Sequence, residues 1–175
     1  MTVEELLNTD TRIVRAFKHA CQSHAEQKYG EYPYIKHLND VAQVLFEFLH
    51  LVDPGEFEQL LCAVWLHDIV EDCGVELAEI RDTFGADIEQ LVWAVTNPAG
   101  ADAQLRYYLL GLRLETAPLA EMLKLADRIA NVRSGALNKK YTKEQPLFEL
   151  HCKSEDSRFL DMWNTLTEEL HKWPL

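Results

Sequence analysis

The chain has 175 residues, of which 47% are apolar and 26% charged. Those are the proportions of one globular domain spanning residues 1–175, and not of a disordered chain. Seven glycines and six prolines are too few for a collagen, a low-complexity linker or a many-turned all-β architecture. A formal net charge of −12 excludes a general binder of nucleic acid or anionic membrane, because both need basic surface.

The apolar spacing predicts helices almost throughout. Ile13, Phe17, Ala20, Cys21 and His24 follow one helical face, and so do Val41, Val44, Leu45, Phe48 and Leu49. Asp53-Pro54-Gly55-Glu56 reads as a capped helix start. The helix expected after it runs through Leu60, Leu61, Val64 and Trp65 to about Asp72, where Gly74 stops it. Further helices are expected from Leu77 to Phe84, from Asp87 to about Thr96 and over 102–115. Pro118 opens a long one carrying Met122, Leu123, Ala126 and Ile129. Stretches near 144–152 and 156–172 close the chain. The fold class predicted is all-α, a bundle of about seven to nine helices. The longest apolar run, Leu60 to Leu66, is far short of a membrane span. The first residues do not read as a signal peptide. Four cysteines with no CxxC pair fit a reducing, cytoplasmic setting.

Three polar features interrupt the apolar helices. His67-Asp68-Ile69-Val70-Glu71-Asp72 follows directly on the longest apolar run, where three acids and a histidine are costly unless something compensates them. A divalent cation beside the His67-Asp68 pair would do so, with a neighbouring carboxylate handling a water acidified by the ion. Asp127 lies amid the apolar residues of the long helix, with Asn131 one turn on and sharing its face. His37 stands at the start of the helix bearing Val41; a lone histidine there is by itself usually a capping or surface residue. Charge adds a fourth clue. Residues 124–143 hold Lys124, Arg128, Arg133, Lys139, Lys140 and Lys143 against the single acid Asp127. That window suits phosphate, with Arg133 and Lys143 as the expected contacts and Lys139 and Lys140 as solvated loop charges.

Pro33-Tyr34-Ile35-Lys36-His37, Leu66-His67-Asp68-Ile69-Val70-Glu71-Asp72 and Lys124-Leu125-Ala126-Asp127-Arg128 with Asn131 together resemble the HD superfamily of metal-dependent phosphohydrolases. The likeness is narrower to the (p)ppGpp hydrolase domain of RelA/SpoT proteins and to small alarmone hydrolases. It implies one divalent metal, Mn²⁺ foremost, held by His37, His67, Asp68 and Asp127. It implies Glu71 and Asp72 as the catalytic acids, acting on the attacking water and the leaving group, and Asn131 as a nucleotide contact. The implied activity is hydrolysis of a phosphorylated nucleotide, foremost 3′-pyrophosphohydrolysis of guanosine 3′,5′-bis(diphosphate). The alternatives are another nucleotide (a nucleoside monophosphate or NADPH) and a non-catalytic nucleotide-sensing module. The partner expected is therefore a small-molecule nucleotide, with no nucleic acid and no membrane. The family's arginine-lysine pair before the first metal histidine is reduced here to Lys28, and Leu38 stands where a proline is usual.

Overall fold

A computed structural model describes residues 11–135 and 138–173; Ala136 and Leu137, inside the basic window, lie outside the described residues. The apolar stripes fold as helices α1 (Arg12–Ser23), α2 (Ile35–Glu47), α3 (Phe57–Leu66), α4 (Ile69–Cys73) and α5 (Leu77–Phe84). These are followed by α6 (Ala86–Val95), α7 (Ala103–Leu114), α8 (Pro118–Ser134), α9 (Asn138–Cys152) and α10 (Leu160–His171). Among the described residues the only strands are β1 (Lys28–Tyr29) and β2 (Tyr32–Pro33), an antiparallel hairpin that pairs Tyr29 with Tyr32. The all-α expectation holds. No helix of the described residues is long and apolar enough to cross a membrane.

Helix α8 is the axis of the molecule. Every residue from Leu119 to Val132 is buried, because α2, α6, α7, α9 and α10 pack around it. Each fully buried Leu or Ile contributes about 1.5–3 kcal/mol of apolar transfer free energy. The buried polar residues of this helix are Glu121, Lys124, Asp127, Arg128 and Asn131; Lys124, Asp127 and Asn131 follow one face in steps of three and four, and Arg128 turns aside from it. Burial demands a partner for each. Glu121 accepts hydrogen bonds from Trp163 Nε1 at 2.8 Å and from Ser154 N at 3.2 Å. Arg128 donates to Gln145, to the Tyr107 hydroxyl and to the Tyr141 carbonyl. Its guanidinium lies 4.2 Å over the Phe148 ring and 4.6 Å over Tyr141, which fastens α9 to α8.

Three local expectations are corrected. The helix expected from Asp53 begins at Phe57, with Glu56 at the N-cap position and 53–56 forming a turn closed by Glu56 N to Asp53 O at 2.8 Å. The same helix does not run on to Asp72. It breaks at His67-Asp68, where His67 Nδ1–H donates to Val64 O at 2.8 Å and so takes a carbonyl that the helix end leaves open. Gly74, at φ +70°, ends α4 in the left-handed conformation. Finally, the lysine-rich stretch from Asn138 is not a loop but the first half of α9, which continues through Pro146 to Cys152.

Candidate metal centre and substrate cleft

The break after α3 turns His67 and Asp68 toward the start of α2 and the middle of α8. His37, in the first turn of α2, and His67 are both buried, at 2% and 1% exposure. His37, His67 and Asp127 each offer a ligand atom within 4.8 Å of the others. Asp68 Oδ2 lies 3.0 Å from His67 Nε2 and 3.4 Å from His37 Nε2, and Asp127 Oδ1 lies 3.3 Å from His37 Nε2. The four side chains expected from the resemblance therefore converge, although they come from two helices and a helix break.

The donor set fits a divalent ion. His67 commits Nδ1 to Val64 O, so Nε2 is the atom left to bind, and it is buried with no hydrogen-bond partner. Asp127 is oriented by Asn131 Nδ2, 2.6 Å from Oδ1, and by Lys124 Nζ, 3.3 Å from Oδ2. Asp68 Oδ2 accepts the Tyr34 hydroxyl at 2.5 Å. Burial disfavours charge on His37, but the carboxylates of Asp127 and Asp68 outweigh it and push its pKa up to about 10. His67 moves the same way, against its own burial, under Asp68 and Asp127. Burial likewise opposes ionisation of Asp127, yet Lys124 and the histidines hold its carboxyl down at about 2. Asp68 is lowered for the same reason, chiefly by His67. Without a cation the cluster holds protons on its imidazoles; a metal would displace them.

The centre opens into a cleft of about 360 Å³ walled by Glu71, Asp72, Lys124, Arg106, Asn131 and Lys140, with Tyr29, Tyr34 and Tyr141 beside them. A second recess of about 550 Å³ adjoins it over residues 96–101 and shares Glu71, Asn97, Arg106 and Lys140. Glu71 is held on the rim by Asn97, whose backbone N–H reaches Oε1 at 2.6 Å and whose side-chain amide reaches Oε2 at 3.0 Å. Asp72 Oδ2 accepts Gln27 Nε2 at 2.8 Å. Asn131 lies beside Asp127 and faces the cleft, so it orients that carboxylate as well as lining the wall.

The structure does not bring Arg133 or Lys143 to this cleft. Arg133 makes a two-pronged contact with Glu47 at 2.7 and 3.0 Å and a third bond to Glu169 at 3.0 Å, which ties α8 to α2 and α10. Lys143 is exposed on α9 and does not line the cleft. The helix that replaces the expected loop presents Lys140 instead, and Lys124 and Arg106 add two more cations. Arg106 also pairs with Glu144 at 2.8 Å. Lys28 is exposed on β1 and its neighbour Tyr29 faces inward: the Tyr29 ring stacks 4.9 Å from His37 and its hydroxyl donates to Asn131 Oδ1 at 3.0 Å. Sequence reasoning missed Tyr29, Gln27 and Tyr34 as parts of the site. No periodicity marks them, because their partners lie 34 to 102 residues away.

A sequence profile described as HD domain matches residues 16–153. Guanosine-3′,5′-bis(diphosphate) 3′-pyrophosphohydrolase MESH1 of Drosophila melanogaster is 32% identical over 124 residues, which cover 70% of this chain and 66% of that protein. The MESH1 of Xenopus tropicalis is 32% identical over 128 residues, covering 69% of this chain and 68% of its own. A guanosine-3′,5′-bis(diphosphate) 3′-pyrophosphohydrolase of Aquifex aeolicus is 34% identical over 128 residues, 70% of this chain but 17% of that much longer protein. The chain thus spans about two thirds of the MESH1 relatives and a small part of the long one. Among solved structures, a metazoan ortholog of SpoT that hydrolyses ppGpp superposes with a TM-score of 0.74 at 22% identity, over 94% of this chain and 96% of that one. That likeness shows the fold.

Proposed function

The chain belongs to the HD-domain family, and we propose that it is a single-domain, metal-dependent phosphohydrolase acting on guanosine 3′,5′-bis(diphosphate). The observation that carries this reading is the convergence of buried His37, His67 and Asp127, with Asp68 against both histidines, at the floor of a cleft whose walls bear Lys124, Arg106 and Lys140. The names of the MESH1 and Aquifex relatives support the choice of substrate.

In this reading His37, His67, Asp68 and Asp127 hold one divalent ion. Two imidazoles and two carboxylates make a mixed nitrogen and oxygen set that suits Mn²⁺ better than Ca²⁺. Such an ion supplies Lewis-acid polarisation of a phosphate oxygen and makes water acidic enough to attack near neutral pH. Glu71, fixed by Asn97, accepts the proton of the attacking water. The water oxygen bonds to the phosphorus attached to the ribose 3′ oxygen, the bond from that phosphorus to the 3′ oxygen breaks, and pyrophosphate leaves. Asp72 sits beside Glu71 to serve the departing 3′ oxygen, which takes up a proton. Asn131 contacts the nucleotide, and Lys124, Arg106 and Lys140 offset phosphate charge in place of Arg133 and Lys143. The two adjoining recesses give a nucleotide substituted at both ends of its ribose room for both arms. All four cysteines are free, which supports a cytoplasmic location.

The test is a hydrolysis panel with Mn²⁺ containing ppGpp, NADPH and nucleoside monophosphates, with products identified. GDP and pyrophosphate from ppGpp are expected. Release of inorganic phosphate alone, or turnover of only the other nucleotides, would contradict the substrate; turnover of nothing would favour a sensing module.

A further inference from the structure

We infer that His24 and Gln27 form a bracket that positions Asp72, so that two residues outside the metal centre set the efficiency of the catalytic acid. The inference rests on the catalytic reading of Asp72 given above.

Asp72 is exposed near the end of α4, a helix of only five residues. A carboxylate there has several rotamers open to it, and misplacement of a reacting group by about 1 Å can cost about 10²-fold in rate. What restrains it is Gln27 Nε2, 2.8 Å from Asp72 Oδ2, with the Tyr34 hydroxyl as a second neighbour of the same side chain. A carboxylate only accepts, so Gln27 must turn its NH₂ toward Asp72. Its Oε1 therefore faces the other way, where it meets His24 Nδ1 at 2.7 Å. An amide oxygen also only accepts, so His24 must carry its proton on Nδ1. The chain of donors leaves one tautomer and one amide orientation. Cys73 Sγ lies 3.3 Å from the same His24 Nδ1 and 3.9 Å from the Gln27 oxygen, so the thiol joins this cluster without fixing the tautomer by itself.

His24 is well placed to be the fixed end. It is 3% exposed at the C-terminal cap of α1, and its ring stacks on Tyr34 at 4.4 Å with a 16° tilt. Tyr34 in turn donates to Asp68 Oδ2. Burial, then the charges of Asp68 and Asp72, push the Tyr34 phenol far up, so it stays a donor. One buried imidazole thus supports two acids: Asp72 through Gln27, and Asp68 through the face of Tyr34. His24 and Gln27 are positioning residues; neither lines the cleft.

The test is a double-mutant cycle on the full chain with Mn²⁺ and ppGpp. Gln27→Met removes the donor at similar volume and should lower kcat by about 10- to 100-fold, with KM, bound metal and melting temperature unchanged. In the Asp72→Asn background the same change should cost nothing further, because the residue it positions is already disabled. His24→Ala should resemble Gln27→Met, and His24→Asn, whose amide N–H stands near the place of Nδ1–H, should recover most of the loss. An equal loss in both backgrounds, or no loss in either, would overturn the bracket. A second measurement does not need turnover: ¹⁵N NMR of the imidazoles should show His24 protonated at Nδ1 in the wild type. The Nε2–H tautomer would overturn the bracket even in an active enzyme. A wild type inert toward every nucleotide but with the Nδ1–H tautomer would sink the catalytic reading and the predicted kcat effect with it, and leave only the His24–Gln27–Asp72 hydrogen-bond chain standing.

Discussion

At the scale of single residues, the centre is expensive by construction. Two nearly inaccessible histidines face the buried carboxylate of Asp127 and the half-buried one of Asp68, and such charges persist only when paired or bound to a metal. Each position therefore has a distinct cost when changed. Glu71→Gln keeps the shape and the Asn97 contact through its remaining oxygen but cannot accept a proton. Its metal content should stay at the wild-type level while kcat falls by about 10²-fold or more; an unchanged rate would remove Glu71 from the chemistry. The cations divide in the same way. Lys140→Gln should raise KM for a phosphate-rich substrate and flatten its dependence on ionic strength. Arg133→Gln should leave both unaltered, because Arg133 is bonded to Glu47 and Glu169 and not to the cleft. Its cost is one of stability, about 0–1 kcal/mol for largely surface pairs, read from denaturant midpoints. A KM effect at Arg133 with none at Lys140 would reverse the assignment.

At the scale of elements, α8 joins stability to function because the same buried helix carries Asp127 and the middle of the core. Ile129 is fully buried two residues beyond Asp127. Ile129→Ala should cost about 2–5 kcal/mol, measured by urea unfolding, and a loss well under 1 kcal/mol would mean that α8 is not the axis described. The sequence made this helix readable, since Asp127 and Asn131 are conspicuous among Leu123, Ala126, Ile129 and Ala130. His67-Asp68 was readable for the same reason, after an unbroken apolar run. The break between α3 and α4 was not, because it depends on the His67 ring bonding Val64 O, and helical spacing continues straight across it. The start of α9 was hidden too: Asn138-Lys139-Lys140-Tyr141 has loop-like composition, and its helical state comes from Arg128 packing under Tyr141 and Phe148. The roles of Gln27, Tyr29 and Tyr34 at the site left no local signal, since contacts across the fold impose no period on the sequence, and His24 was legible only as part of the α1 face.

At the scale of the whole molecule, the metal centre links pH to folding. The raised His37 pKa stabilises the metal-free fold fully below the ordinary 6.5, and that contribution is lost as pH climbs toward about 10. The lowered Asp127 pKa acts in the opposite sense: its contribution is present above the ordinary 3.8 and lost as pH falls toward about 2. Metal-stripped protein should therefore be most stable between those ordinary values. Its denaturation midpoint should be lower near pH 9 than near pH 6. Saturating Mn²⁺ should reduce that alkaline loss, because an ion that replaces the protons no longer needs them. A metal-free midpoint independent of pH over this range would show that the cluster is not charged as described.

The central claim is that His37, His67, Asp68 and Asp127 together hold one catalytic divalent ion. It is tested most directly by elemental analysis of bound metal after equilibrium dialysis against Mn²⁺, comparing the wild type with His67→Ala. The account predicts one ion per wild-type chain and none on the variant. A folded His67→Ala protein that still retains one ion per chain would contradict it.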